Sequence, residues 1–301
     1  MRLASFRAAG KERFGIVASS GLVDVSERTS APDLRTALAR GVDALERFAD
    51  APADWSFDDV TWLPPVTNPT HVIGVGLNTK SHFEETASLM RRQPGDYPQH
   101  PRLFMRSPLS HVGHEAAVLV PATSPCLDYE GEIALVIGRS GRRVAPDRAM
   151  DCVAGYACYN DGSVRDFQTH SNQVTAGKNF PASGAFGPWI TTRSDVPDPS
   201  SLTLETRVNG EVSQRLEPGD LIFSHAELVS YISTVFALQP GDVVLTGSPA
   251  GIGALTSTWL RAGDRVEIAV SGVGVLRNRV ENEPTGGDDK EVDEHERERE
   301  Q

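Results

Sequence analysis

The chain has 301 residues, 39% hydrophobic and 23% charged, enough for a large buried core and ordinary for a globular enzyme or binding protein. Half of its formal net charge of −12 lies in residues 283–301, where nine acids face three bases; the mildly acidic remainder has no basic stripe, which argues against nucleic acid as a partner. No apolar run is long enough to span a bilayer, the opening residues lack the continuous apolar stretch of a secretory leader, and three cysteines without a C-x-x-C pair argue against a disulfide framework or zinc ribbon and for a reducing, cytoplasmic setting.

Residues 1 to about 62 read as a small separate unit. Two short strands, 3–6 and 14–18, are joined by the turn Ala9-Gly10-Lys11-Glu12, and residues 22–25 extend them. Helical apolar spacing runs over 34–48 behind Asp33 as N-cap. The proline-rich segment 63–69 suits neither a helix nor a central strand, so the boundary falls there. The expected organisation is a small N-terminal domain and linker over 1–66, a second domain over 67–282, and a disordered acidic tail over 283–301.

From residue 71 to about 280, short β-runs alternate with glycine and proline. Strands are expected at 72–75, 132–137, 153–158, 204–208, 243–246, 266–270 and 273–276, with Asn209-Gly210 as a hairpin turn. Helices are expected at 81–91 and 228–238. Strands and helices do not alternate regularly, so a doubly wound sheet is disfavoured and an α+β, mostly β, packed or rolled structure fits better.

The chemistry concentrates in three places. In Asp128-Tyr129-Glu130-Gly131-Glu132, side chains two apart share a strand face, so Glu130 and Glu132 project together beside an apolar run. Like charges so placed repel unless something positive lies between them, and a hard divalent cation is the simplest remedy. Asp161 falls where the 153–158 strand should end, which would make three carboxylates and suit Mg²⁺ or Mn²⁺ better than zinc. His82 and Glu85, three apart on one helix face, suit a water-activating pair, while Ser81 and Glu84 match a capping box. Each feature alone also fits a bland reading: solvated strand-end glutamates, a simple Asn-Asp-Gly turn, an exposed His–Glu pair. Gly74-x-Gly76 lacks the third glycine of a dinucleotide loop, Val118 breaks an incipient H-E-x-x-H, and no G-x-S-x-G elbow occurs. His111 and His114 read as hairpin or surface histidines.

Six segments occur in one order: G-V-G-L-N-x-x-x-H-x-x-E, D-Y-E-G-E-I-A-L-V-I-G, N-D-G-S-V-R-D-F-Q, G-K-N-F-P, T-G-S-P-A-G-I-G and G-D-R-V-E-I-A-V-S-G-V-G-V-L-R-N. Together they resemble the fumarylacetoacetate hydrolase family over roughly residues 70–280. The resemblance implies a mixed β-sandwich roll around a divalent metal, with Glu130, Glu132 and Asp161 as ligands. It makes His82 and Glu85 the water-activating dyad, Lys178 the active-site lysine, and Arg165, Gln168 and Ser248 substrate contacts. Thr79 stands where the family often has tyrosine and Arg106 where it often has lysine, so Arg106 is expected to alter substrate recognition through its bidentate fork. Residues 81–99 resemble the family's mobile lid, and a homodimer is implied. The expected function is metal-dependent hydrolysis of a C–C bond in a 1,3-dicarbonyl or acylpyruvate-type keto acid. The runner-up is an isomerase, tautomerase or oxaloacetate-type decarboxylase on the same scaffold, and the third reading is a non-catalytic binder of a metal or small acid.

Overall fold

The computed structural model describes residues 1–87 and 91–284. Part of the expected lid, at 88–90, and residues 285–301 of the expected disordered tail lie outside the described residues. In chain order come β1 (Arg2–Ala8), β2 (Lys11–Ala18), β3 (Gly21–Asp24), α1 (Leu34–Ala39), β4 (Thr61–Trp62), β5 (Val72–Gly76) and α2 (Lys80–Ala87). There follow β6 (Arg102–Arg106), β7 (His111–Val112), β8 (Ala117–Val120), β9 (Leu127–Asp128), β10 (Gly131–Ile137), α3 (Pro146–Ala149), β11 (Val153–Asn160), β12 (Ser163–Val164) and α4 (Arg165–Gln168). The rest comprises β13 (Gly184–Thr192), β14 (Leu204–Val208), β15 (Glu211–Leu216), α5 (His225–Val235), β16 (Val243–Leu245), β17 (Arg265–Val270) and β18 (Gly274–Asn282).

A large mixed sheet runs β3-β2-β1-β13-β11-β10-β16-β5-β6, with β4 paired to β1 and β7 to β13. A second sheet, β15-β14-β17-β18-β8, packs against it. The apolar run of β10 is buried on both faces because both are covered. Ile133, Leu135 and Ile137 join the core shared with Leu204, Ile268 and Leu276 of the second sheet. Ala134 and Val136 face the other way, into a core built with Leu34 and Leu38 of α1 and Phe14 of β2. The period of two along one strand thus divides its residues between two cores. This is the mostly β, α+β roll expected.

Residues 1–66 are not free-standing. Leu3 of β1 pairs with Ile190 of β13, and α1 shares a core with Val243 and Leu245 of β16. A pairing partner so distant in sequence leaves no local signal, which is why the segment read as separate. The expected 34–48 helix is interrupted. Asp33 caps α1 by accepting from the Thr36 N–H at 2.7 Å, but Gly41 at φ 101° breaks the helix and a 3₁₀ segment, Val42–Phe48, follows. The Asn209-Gly210 hairpin is present, with φ of 53° and 86° at the two turn residues as a type I′ turn requires. Ala9-Gly10 forms the same two-residue turn, so Lys11 and Glu12 belong to β2 rather than to the turn.

Candidate metal centre and its flanking dyad

Register brings the three acids together. β10 and β11 pair antiparallel with Gly131 opposite Asn160, so Asp161 falls beside Glu130 and its N–H donates to the Glu130 carbonyl at 2.8 Å. Glu130 and Glu132 flank Gly131, where a Cβ would lie 2.0 Å from Thr206 Oγ1 of β14. Only glycine lets the second sheet approach that closely. Among the described residues, Glu130, Glu132 and Asp161 form a buried group whose ligand oxygens all lie within 4.8 Å of one another.

Three cations, Lys178 and Arg106 buried and Arg165 half-buried, partly neutralise the cluster. Lys178 Nζ donates to Glu130 Oε2 at 2.5 Å and also to Asp161 Oδ2. Arg165 Nη2 donates to Glu130 Oε1 at 2.7 Å, and its Nε to Asp128 Oδ2 at 2.8 Å. Arg106 Nη1 donates to Asp161 Oδ1 at 2.6 Å. Among the described residues Glu132 has no such partner and accepts only the Gly247 N–H, at 2.6 Å. The electrostatics follow. Burial pushes the Glu130 carboxyl up, but Arg165, Lys178 and His82 outweigh it and hold the group ionised. Burial, with Asp161 and Glu130 nearby, pushes Glu132 well above the usual carboxylate range, and burial also raises Asp161 against the pull of Lys178 and Arg106. An all-oxygen donor set with one carboxylate lacking a counter-cation fits a hard divalent ion such as Mg²⁺ or Mn²⁺.

The His–Glu pair stands on α2. His82 Nδ1 donates to Glu85 Oε1 at 2.8 Å, which leaves Nε2 as the ring nitrogen available for proton transfer. Glu85 is itself held, its Oε2 accepting from the Gly251 N–H at 2.9 Å. The expected capping box is absent. Ser81 lies inside the helix with its hydroxyl on Asp220, and Glu84 accepts instead from the Gly95 N–H at 2.9 Å.

Arg106 does not take the substrate-facing place expected of it. It is 2% exposed, and its five N–H groups go to Asp161, the Gly162 and Ser110 carbonyls, and the Ser110 and Ser183 hydroxyls. The longer fork of arginine reaches past the surface that a lysine would offer and braces Asp161 from behind. Ser248 is also engaged: its hydroxyl accepts from Gln214 Nε2 at 2.7 Å, and its carbonyl accepts from Thr79 Oγ1 at 2.7 Å. Gln168 Oε1 accepts from Arg165 Nη1 at 3.0 Å, which leaves the Gln168 amide nitrogen to donate elsewhere. His111 and His114 are buried rather than on the surface. Desolvation, with Arg106 and Arg277 respectively nearby, brings their pKa values down to about 3 and about 4.

Sequence reasoning missed the segment 247–254 as a scaffold. Its backbone N–H groups hold three acids: Gly247 holds Glu132, Gly251 holds Glu85, and Gly253 and Ala254 hold Asp128 at 2.9 and 3.1 Å. Gly247 adopts φ 104°, and a Cβ there would lie 2.8 Å from that of Asn78. Asp128 itself carried a readable signal, since it shares a strand face with Glu130 and Glu132 by the same alternation. The scaffold carried none, because main-chain donors leave no side-chain signature.

The family model for the fumarylacetoacetate (FAA) hydrolase C-terminal domain matches residues 71–281. The oxaloacetate tautomerase YisK of Bacillus subtilis is 36% identical over 246 residues, 78% of this chain and 80% of that protein. The fumarylacetoacetate hydrolase of psychrophilic Exiguobacterium antarcticum superposes with a TM-score of 0.80 at 31% identity, covering 94% of this chain and 100% of that one. The maleylpyruvate hydrolase of Sphingobium sp. SYK-6, in complex with manganese(II) ion and pyruvate, superposes with a TM-score of 0.78 at 28% identity over 94% and 100% of the two chains. No helix among the described residues is long and apolar enough to cross a membrane.

Proposed function

The chain belongs to the fumarylacetoacetate hydrolase family, and on that footing we propose that it is a Mg²⁺- or Mn²⁺-dependent enzyme that interconverts the keto and enol forms of oxaloacetate or a close relative. The observation that carries the proposal is the buried Glu130–Glu132–Asp161 cluster beside a Glu85-held His82. A bound divalent cation supplies Lewis-acid stabilisation of negative charge on an enolate oxygen. His82 Nε2 takes the proton from the carbon between the two carbonyl groups and returns it to oxygen, and Glu85 fixes the ring for both transfers. Lys178 adds positive charge beside the reacting oxygens. The Gln168 amide, steadied by Arg165, donates to the substrate carboxylate.

C–C hydrolysis of an acylpyruvate-type acid, placed first on sequence grounds, becomes the second reading. Tautomerisation moves ahead because a relative that shares four-fifths of its length with this chain is named for it. Hydrolysis keeps support from the Glu85-backed imidazole, which equally suits removing a proton from water. The deciding experiment offers the Mn²⁺-loaded protein oxaloacetate and a panel of acylpyruvates, following enol absorbance and pyruvate release separately. Accelerated ketonisation without pyruvate release is the expected result, with His82→Gln lowering its kcat by about 10²–10⁴. Pyruvate release from an acylpyruvate with no acceleration of oxaloacetate ketonisation would replace the first reading by the second. An unchanged rate in His82→Gln would remove His82 from both.

A further inference from the structure

We infer that Asp220, on the linker between β15 and α5, is the positioning residue that sets the His82–Glu85 pair, an assignment that rests on the function proposed above. Helix α2 is described over Lys80–Ala87, and its first turn needs partners for its free N–H groups. Asp220 supplies them from about 140 positions away in the chain. Its carbonyl accepts the Lys80 N–H at 2.8 Å, its Oδ1 the Ser81 N–H at 2.9 Å, and its Oδ2 the Ser81 hydroxyl at 2.5 Å. The next N–H, that of His82, meets Thr79 Oγ1 only at 3.3 Å. Two of the first three helical N–H groups therefore depend on one remote residue, whose negative charge also suits the positive helix end.

Asp220 is itself firmly presented. Asn78, just before α2, accepts from the Ile222 N–H at 2.7 Å through its carbonyl and from the Phe223 N–H at 2.9 Å through Oδ1, and its Nδ2 donates to the Phe223 carbonyl at 3.1 Å. Ser81 Oγ, fixed by Asp220, accepts in turn from the Ala250 N–H at 3.2 Å, one residue before the Gly251 that holds Glu85. Asp220 thus joins the start of α2 to the segment that grips the catalytic pair. Of the three clustered acids, Glu132 stands on β10, Glu130 just before it and Asp161 just after β11, and among the described residues none hydrogen-bonds to Asp220.

The test uses the full chain loaded with Mn²⁺, with oxaloacetate as substrate, and compares Asp220→Ala, Asp220→Asn and Asp33→Ala. The last removes a side-chain cap from α1, remote from the site, and controls for lost stability. Asp220→Ala is expected to lower kcat by about 10- to 100-fold through misplacement of His82. KM and the calorimetric Mn²⁺ affinity should change by less than about twofold, because the residues that bind stay in place. Asp220→Asn keeps an acceptor for the Ser81 N–H and should recover most of the loss. Asp33→Ala should lower the melting temperature without lowering kcat. Hydrogen exchange gives a readout that needs no turnover: the amides of Phe83 to Ala87 should exchange faster in Asp220→Ala. Unchanged exchange in α2 overturns the inference whatever the substrate proves to be. A kcat loss matched by Asp33→Ala, or accompanied by lost Mn²⁺ affinity, overturns it as well. Absence of oxaloacetate turnover in the unmodified protein would instead refute the proposed function, and the exchange data would still decide the role of Asp220.

Discussion

Glu132→Gln should stabilise the metal-free protein and abolish its response to Mn²⁺, a crossing of signs that few other roles for Glu132 would produce. Its carboxylate lies within 4.8 Å of those of Glu130 and Asp161. At an effective dielectric constant of about 20, two full charges at such a distance repel by about 3 kcal/mol. Lys178 and the two arginines serve the neighbours, whereas Glu132 has a single backbone donor. Burial and the two acids therefore raise its folded pKa well above that of the unfolded chain. The folded state then binds the proton more tightly than the unfolded state does, so this contribution is complete below the usual carboxylate range and declines as pH rises toward neutrality. Glutamine has no proton to lose and keeps an oxygen for the Gly247 N–H. A gain of about 1–3 kcal/mol at pH 7 is expected after partial neutralisation by Lys178, and the fall of stability as pH rises above the usual carboxylate range should flatten. At about 2–4 °C per kcal/mol the melting temperature should rise by several degrees in chelator. Mn²⁺ at about 100 times its Kd should add about 2.7 kcal/mol to the parent protein and little to the variant. Thermal unfolding with EDTA and with Mn²⁺ measures both effects. A variant that melts lower in EDTA at pH 7, or gains as much from Mn²⁺ as the parent, would refute the electrostatic account.

Two further substitutions probe the frame around the acids. Arg106→Leu leaves Asp161 buried without its guanidinium and should cost about 3–5 kcal/mol, read as a lowered urea midpoint; a midpoint within error of the parent would return Arg106 to a substrate-facing role. Gly131→Ala puts a methyl group against Thr206 and should cost about 1–3 kcal/mol while displacing both flanking glutamates; calorimetry should show weakened Mn²⁺ binding, and undisturbed affinity would mean that the sheets can part without moving the acids.

Legibility in the sequence followed how local the physics was. The Glu130–Glu132 pairing needs only strand alternation, His82–Glu85 only helical spacing, and the Asn209-Gly210 turn only its own backbone preference, and all three are present. The attachment of β1 to β13 and the capping of α2 by Asp220 join residues far apart in the chain, and no local pattern encodes them. Arg106 is placed non-locally in the same way. Its type announces a charge, but whether that charge faces substrate or braces Asp161 depends on Ser110 and Ser183, which neighbour it only after folding.

The segment 247–254 grips its three acids through amides that every residue type except proline possesses. Three of its four donors are glycines, and a Cβ at Gly247, Gly251 or Gly253 would lie 2.8, 1.9 or 2.1 Å from a neighbouring atom, so variation is left to the residues between them. Mutation at those intervening positions should then reshape the surroundings of Glu85, Glu132 and Asp128 while leaving the three acids where they were. One short stretch of chain thus gives the architecture room to acquire new substrates without rebuilding its reactive centre.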